Sequence, residues 1–528
     1  MLPLIAQAGL LTGKVTSDGK PVAGVFVSDG VTIAMTGADG RYGFESDKRQ
    51  GFVFVITPSG YATPLKDGLR PDFYATLEKP AGLDESHDFV LIPQKQDHYT
   101  AIFATDIHIK NSETLGDKRL FETYALPTVK RLYAENSADG PVILFNLGDL
   151  AHDKVWYEFG WNIEKSRDYL RDLGYPGPLF SIMGNHDNDG ATVATPYAPD
   201  ENFNAEHLFR KAFGPTYYSF NMGGDHWIMM DNIIYKNTPV KKSKDHGIAG
   251  KRNFNVGLTD DEMDWLEKDL ATVPEGVNIR LCAHASFLWP LEPGTQFTDP
   301  AQQQKIYDMV TKGGRIFYAY TGHTHRFQFA ASEKYPLLRD VMVPAVSGNV
   351  WATGENQMVG IDGSDAGILV AHFGAEGTTF DYHTHQYGEK WMRLYDMNAA
   401  KHWFKTDERA AERVGKYPEW TDYSKFTGKN MIYANIWMYR PGYTVEMYEG
   451  SRKLKVEMIE ASDPFILAGT SASESLFKET KHAVCRHLFA AQAKGSRSTI
   501  TVNILDEDGK CIHTEKMIRP KPFGPGVN

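Results

Sequence analysis

Five short apolar runs in the middle of this chain each end on a cluster of Asp, Asn or His, and no other feature constrains the fold as much. The runs Thr100–Ala104, Val142–Phe145, Leu179–Met183, Asn278–Cys282 and Arg315–Tyr320 lead into Asp106-Ile107-His108, Gly148-Asp149, Gly184-Asn185-His186-Asp187, Ala283-His284 and Gly322-His323-Thr324-His325. Between them, Lys118–Glu135, Trp156–Leu173, Asp260–Leu270 and Ala301–Thr311 carry apolar residues every three or four positions and read as helices, the first kinked or split at Pro127. Strands alternating with helices predict an α/β core with helices over both sheet faces. In an open sheet of this kind ligands sit beyond the carboxyl ends of the strands, so the five ends are expected to meet at one edge. Tyr217–Asn221 and His226–Asp231, joined around Gly223-Gly224, read as an antiparallel hairpin and make the sheet mixed.

The residues gathered at those ends form a poor hydrophobic cluster and a good ligand shell for two divalent metal ions. Asp and Asn bring hard oxygen donors, and neutral imidazole suits Zn, Fe, Mn or Ni. Each motif alone is a weak signal, because H-x-H on a strand or N-H-D in a turn is common. The full series behind five apolar runs is not.

The 528 residues exceed what one hydrophobic core serves, and about 100 to 200 residues per domain leads to an expectation of three domains. From Leu11 to Pro93 short alternating segments are punctuated by Gly, Asp and Pro, as in Gly13–Gly30 and Gly51–Gly60, which predicts a small β-sandwich. Pro21–Val27, Thr36 and Asp39–Phe44 there resemble the transthyretin-like fold of carboxypeptidase regulatory domains, a resemblance that implies a domain common in exported proteins and without chemistry of its own, expected to be a structural spacer rather than a ligand-binding module. From about Tyr387 the alternating runs Met431–Met438, Thr444–Tyr448, Lys453–Met458 and Thr499–Ile504 predict a second sandwich. The expected domains are residues 9–95, 96–385 and 386–528.

A hydrophobic content of 42% rules out wholesale disorder, and no uncharged apolar run approaches the roughly 20 residues of a membrane span. A net charge of −11 without basic clusters excludes a nucleic-acid-coating or anionic-membrane role, so an anionic substrate needs a local positive centre. Cys282, Cys485 and Cys511 are too few for a disulfide scaffold; Cys485 and Cys511 are either bridged or two unpaired buried thiols. Met1–Ala8 is apolar and ends Ala6-Gln7-Ala8, like the end of a signal peptide, and leads us to expect export to the periplasm or cell envelope.

The series D-x-H, G-D, G-N-H-D, H and G-H-x-H, over residues 96 to 385, resembles the calcineurin-like metallophosphoesterase superfamily. The resemblance implies a four-layer α/β (α+β) core with mixed sheets, flanked by the two sandwiches as in one exported bacterial branch. It also implies that Asp106, His108 and His325 hold one metal, that Asn185, His284 and His323 hold the second, and that Asp149 bridges them. His186 is implied as the non-ligand catalytic histidine beside the scissile phosphate, protonated, with Asp187 as its orienting partner. Two divalent ions, two carboxylates and a bridging hydroxide leave a local charge of about +1, and that hydroxide is the expected in-line nucleophile on phosphorus.

The second motif, Gly148–Asp153, lacks the G-D-x-x-D-R-G sequence of the Ser/Thr protein phosphatases, and no tyrosine follows Asp149 as in the purple acid phosphatases. His152 and Asp153 either line the pocket or begin a solvated helix. His383-Thr384-His385 reads as ordinary strand alternation. The loops Trp156–Trp161, Asn188–Phe203 and Phe287–Phe297, with Trp156, Tyr157, Trp161, Tyr197 and Trp289, are where substrate selection is expected, by stacking on a sugar or base unless these aromatics only pack the loops. The expected function is hydrolysis of a small-molecule or glycan-linked phosphomonoester or phosphodiester. The alternatives are a nucleotide or cyclic-nucleotide phosphodiesterase, and a cell-envelope binding protein with a relict metal site.

Overall fold

The computed structural model describes residues 8–192, 200–238, 251–288, 298–353, 355–416, 428–472 and 484–526. The start of the expected signal segment, Tyr197 and Trp289 lie outside them. All five apolar runs form strands, Tyr99–Ala104, Val142–Asn146, Leu179–Ser181, Asn278–Cys282 and Phe317–Thr321.

They do not lie in one sheet. The first three belong to a six-stranded sheet in the order Leu179–Ser181, Val142–Asn146, Tyr99–Ala104, Gly367–Gly374, Gly377–Thr384 and Gly388–Glu389. The other two are central in a second six-stranded sheet, in the order Tyr218–Met222, Asp225–Met229, Asn278–Cys282, Phe317–Thr321, Leu338–Met342 and Gln328–Ala331. The motif-bearing strands within each sheet run parallel. In the first sheet Gly367–Gly374 pairs antiparallel beside them, and in the second Asp225–Met229 and Leu338–Met342 continue the parallel run before antiparallel strands close both of its edges. Both sheets are therefore mixed, and the expected hairpin lies at one edge of the second.

Strand alternation explains the layering. Phe103 and Phe145 point toward the second sheet, where the Phe103 ring stacks 4.4 Å from Tyr320 and the Phe145 ring lies 4.7 Å from Trp227. Their neighbours Ile102 and Leu144 point the other way, into a core with Leu126, Val129 and Leu132 of helix Leu126–Ser137 and with Ile163 and Leu170 of helix Ile163–Asp172. Helices Asp260–Ala271 and Pro300–Val310 cover the second sheet through Trp265, Leu266 and Ile306. The result is four layers, two sheets between two sets of helices.

Two expected helices are interrupted. A π-helical turn, Phe121–Ala125, precedes Pro127, which sits in the first turn of Leu126–Ser137, so the helix is interrupted rather than ended there. Trp156–Leu173 splits because Gly160 takes the left-handed conformation after Trp156–Phe159, and Asn162 then caps Ile163–Asp172 by accepting a bond from Lys165 N.

At the amino end, Gly9–Ser17 pairs antiparallel with Arg41–Ser46 and parallel with Glu85–Ser86 and Phe89–Pro93, while Phe52–Ile56 lies between Phe26–Ser28 and Tyr74–Thr76 in a separate sheet. This region packs directly on the central one: the ring of Phe73 lies 4.5 Å from that of Tyr218, and Trp265 Nε1 donates to Ser28 Oγ at 3.1 Å. At the carboxyl end two four-stranded sheets share a core that includes Leu394, Ile432, Met447 and Val502. Helices Met397–Thr406, Glu408–Lys416 and Pro464–Ala472 also occur there, which the β-rich reading did not anticipate. Cys282, Cys485 and Cys511 are all free, and Cys511 is exposed, so neither a Cys485–Cys511 bridge nor two buried thiols describes that pair. No described helix is long and apolar enough to cross a membrane.

Candidate metal centre

The carboxyl edges of the two sheets meet, and all seven expected ligands come together there. Asp106, His108 and His325 each place a ligand atom within 4.8 Å of the others, and Asp149, His284 and His323 do the same. Asn185 Oδ1, 3.2 Å from His284 Nε2, joins the second group. Asp149 Oδ2 stands between the groups, 3.7 Å from His108 Nε2 and 3.4 Å from His284 Nε2.

The motif glycines make this convergence sterically feasible. A Cβ on Gly148 would lie 2.5 Å from His284 Nδ1, one on Gly184 would lie 2.2 Å from Asp149 Oδ1, and one on Gly322 would lie 1.9 Å from Thr105 Oγ1. Asp106, His108, Asp149, His323 and His325 all have φ between 51° and 64°, a left-handed backbone that costs about 1–3 kcal/mol for residues other than glycine. Each carboxylate spends one oxygen on the protein. Asp106 Oδ2 accepts from Thr105 Oγ1 and His323 N at 2.8 and 2.9 Å, and Asp149 Oδ1 accepts from His186 N at 2.7 Å.

The other oxygens face imidazoles. Buried Asp106 Oδ1 accepts no hydrogen bond and lies 3.2 Å from His325 Nε2, while His108 Nε2 and His325 Nε2 point at each other across 3.1 Å. His284 Nδ1 donates to Leu147 O at 2.7 Å and His325 Nδ1 to Gly348 O at 2.6 Å, so Nε2 of both rings is turned inward, where it offers a lone pair once its proton gives way to a metal ion. An orphaned carboxylate oxygen beside converging imidazole lone pairs is a donor set that fits divalent cations.

Charge balance points the same way. Burial pushes His108 down to about 3 and His323 down to about 4, which keeps both neutral. Burial also opposes charge on His284 and His325, but Asp149 outweighs it and raises His284 to about 9, and Asp106 raises His325. Each buried carboxylate thus calls for a positive partner, which a proton on imidazole or a metal ion supplies.

His186 borders this centre, but its orienting partner is not Asp187. His186 Nδ1 bonds to Asp153 Oδ1 at 2.7 Å, and Arg252 Nε approaches Asp153 Oδ2 at 2.5 Å while its Nη2 donates to Asn185 O at 2.7 Å. Asp187 instead accepts from Asp149 N, Gly184 N and Ala151 N at 2.7, 3.0 and 3.1 Å, tying two ligand loops together. Burial, with His152 and Arg252 next, holds His186 well below the ordinary histidine range, which disfavours the charged ring. His152 stacks 4.0 Å from His186, so Gly148–Asp153 lines the site and is no solvated helix start.

Arg252 was not singled out in the sequence. It lies on Lys251–Val256, which pairs with Ile233–Thr238, and Phe254 two residues on turns its ring edge to His323 at 5.6 Å. The alternation of Arg252, Phe254 and Val256 was the available signal, but nothing in it links the hairpin to the ligands. Of the loop aromatics, Trp156 is buried and Trp161 donates to Ser166 Oγ, so both pack; Tyr157 is 52% exposed. His385 bonds to Val346 O at 3.1 Å, just past strand Gly377–Thr384.

Models of the N-terminal part of the calcineurin-like phosphoesterases, of the calcineurin-like phosphoesterase itself and of their C-terminal part match residues 10–94, 99–327 and 341–511. The chain belongs to the calcineurin-like phosphoesterase family. Among solved structures, this calcineurin-like phosphoesterase is similar to a dimetal phosphatase from Danio rerio, with 9% identity over 55% of this chain and 96% of that one and a TM-score of 0.35. It is also similar to a putative 5′-nucleotidase from Staphylococcus aureus, with 12% identity over 54% of this chain and 53% of that one and a TM-score of 0.30. A third is a calcineurin-like phosphoesterase from Bacillus subtilis, with 13% identity over 61% and 99% and a TM-score of 0.27. No curated protein matches the sequence.

Proposed function

We propose that this chain hydrolyses a small-molecule or glycan-linked phosphomonoester or phosphodiester with two divalent ions, Mn, Fe, Zn or Ni. Asp106, His108 and His325 would hold one, Asn185, His284 and His323 the other, and Asp149 would reach both. The observation that carries this reading is the position of Asp149 Oδ2 between two histidine groups, with the orphaned Asp106 Oδ1 facing the same His108 Nε2 at 3.7 Å. When bound, such ions supply Lewis acidity and make water a nucleophile near neutral pH.

The remaining work falls to side chains of the protein. His186, steered through Nδ1 by Asp153, offers Nε2 to the reacting phosphoester. An arriving anion favours the charged ring, which then stabilises the phosphate or gives its proton to the leaving oxygen. Arg252 holds the Asp153 carboxylate and the Asn185 backbone in register. Comparing turnover of p-nitrophenyl phosphate with that of its bis-ester, with Mn²⁺ or Zn²⁺ present, tests the reading and separates monoester from diester preference. Turnover of either ester, lost in Asn185→Ala, is expected. A protein loaded with both ions that cleaves nothing in a broad phosphoester panel would instead be a binding protein with a relict site.

A further inference from the structure

The turn at residues 359–365 lies between the metal centre and the carboxyl-terminal sheets and is bonded to both. On the metal side, Ile361 N donates to the backbone oxygen of His325 at 3.1 Å, and Phe327 N donates to Asp362 Oδ2 at 2.9 Å. The fit is close, since a Cβ on Gly360 would lie 2.6 Å from His325 O. On the other side, His487 Nε2, on strand Cys485–Gln492, lies 3.2 Å from the same Asp362 Oδ2, with both side chains at most 3% exposed. Asn435 Nδ2 donates to Asp362 O at 2.9 Å, and Arg326, next to His325, donates from Nη1 to Val484 O at 3.1 Å.

The turn is also closed on itself. Gly360 N donates to Ser364 O, and Ser364 donates from N and Oγ to Asp362 Oδ1 at 3.0 and 2.6 Å. Asp362 has therefore spent one oxygen on shaping the turn and shares the other between the His325 loop and His487. A carboxylate fixed in this way transmits position, because moving its imidazole partner moves the acceptor that Phe327 N depends on.

We propose that His487 is a positioning residue for the metal centre: acting through Asp362, the carboxyl-terminal region sets the geometry of the His323-Thr324-His325 loop and so the affinity of the site that His325 completes. This rests on the metal-binding half of the proposed function and not on its chemistry. Removing a partner that orients a metal ligand weakens binding by about 10- to 100-fold.

The test is equilibrium dialysis of the full chain against Mn²⁺, with thermal unfolding measured in parallel, for wild type, His487→Phe, His487→Gln and Arg440→Gln. Arg440 meets the core through the rings of Phe329 and Phe380, at 4.9 and 4.8 Å, and serves as a control that loosens the same interface elsewhere. Expected is a loss of about tenfold or more in affinity for one of two ions in His487→Phe. Partial recovery is expected in His487→Gln, which keeps an N–H for Asp362, and no change in affinity in Arg440→Gln even where its Tm falls. If His487→Phe lowers Tm but binds both ions as wild type does, or if Arg440→Gln loses as much affinity, His487 is merely structural and the proposal is overturned. Wild-type protein that binds two ions and cleaves no ester would refute the proposed function while leaving this inference intact.

Discussion

Asp153 Oδ1 lies 2.7 Å from His186 Nδ1, and Arg252 closes on the other oxygen of the same carboxylate. The histidine is thereby aimed from behind by a residue that holds no metal. Asp153→Asn is expected to lower kcat by about 100-fold, the low end of what a positioned acid or base contributes, with little change in KM or metal content. Steady-state kinetics beside metal analysis checks this; an unchanged kcat would remove His186 from the reaction.

Asp187 is expected to behave differently. Its carboxylate takes three buried backbone N–H groups, from Asp149, Ala151 and Gly184. Asp187→Ala orphans them at about 1–3 kcal/mol each, so Tm and metal retention should fall together. Thermal unfolding with and without Mn²⁺ reads both. A stable variant that retains its metal and is only slow would restore Asp187 to the catalytic role expected from the sequence.

Gly322→Ala puts a methyl group 1.9 Å from Thr105 Oγ1 and 2.7 Å from Asp106 Oδ2, where the Asp106 carboxylate must stand. Metal stoichiometry should drop, whereas Gly224→Ala, whose Cβ meets nothing within 4 Å, should leave it intact. Equal metal content in the two variants would contradict the close-approach account.

The amino-terminal region carries a separate pH signature. Burial favours the neutral form of Glu85, but Lys48 Nζ at 2.6 Å and the N–H groups of Glu78 and Lys79 outweigh it and hold the carboxyl at about 2. A depressed folded value means that the pair stabilises above the unfolded value, about 4.5, and that its contribution is lost as pH falls toward 2. Denaturant unfolding from pH 6 to 2 should show this decline, and Glu85→Gln should be less stable at neutral pH with a flatter acid branch. The same acid slope in both proteins would rule the pair out as its source.

The ligand set was legible because each ligand follows an apolar strand directly, so chain order alone carried Asp106, Asp149, Asn185, His284 and His323 to strand ends. That the strands divide between two sheets was not legible in the runs themselves, since a buried parallel run such as Asn278–Cys282 looks the same in either sheet; the family resemblance, with its four layers and mixed sheets, implied it. Asp153 was in view beside its motif but undecided between helix start and pocket, and Asp187 drew the orienting role through its nearness in sequence to His186. Arg252 and the Asp362–His487 contact depend on pairings across 99 and 125 positions, which no local pattern encodes.

The most direct test of the account is hydrolysis of p-nitrophenyl phosphate and its bis-ester by protein stripped with a chelator and titrated with Mn²⁺ or Zn²⁺, with bound metal measured at each step. Activity that vanishes on stripping and returns as the second ion per chain binds, but not in Asp149→Asn, is the predicted result. Ester hydrolysis that persists in metal-free protein, or that returns equally well in Asp149→Asn, would contradict it.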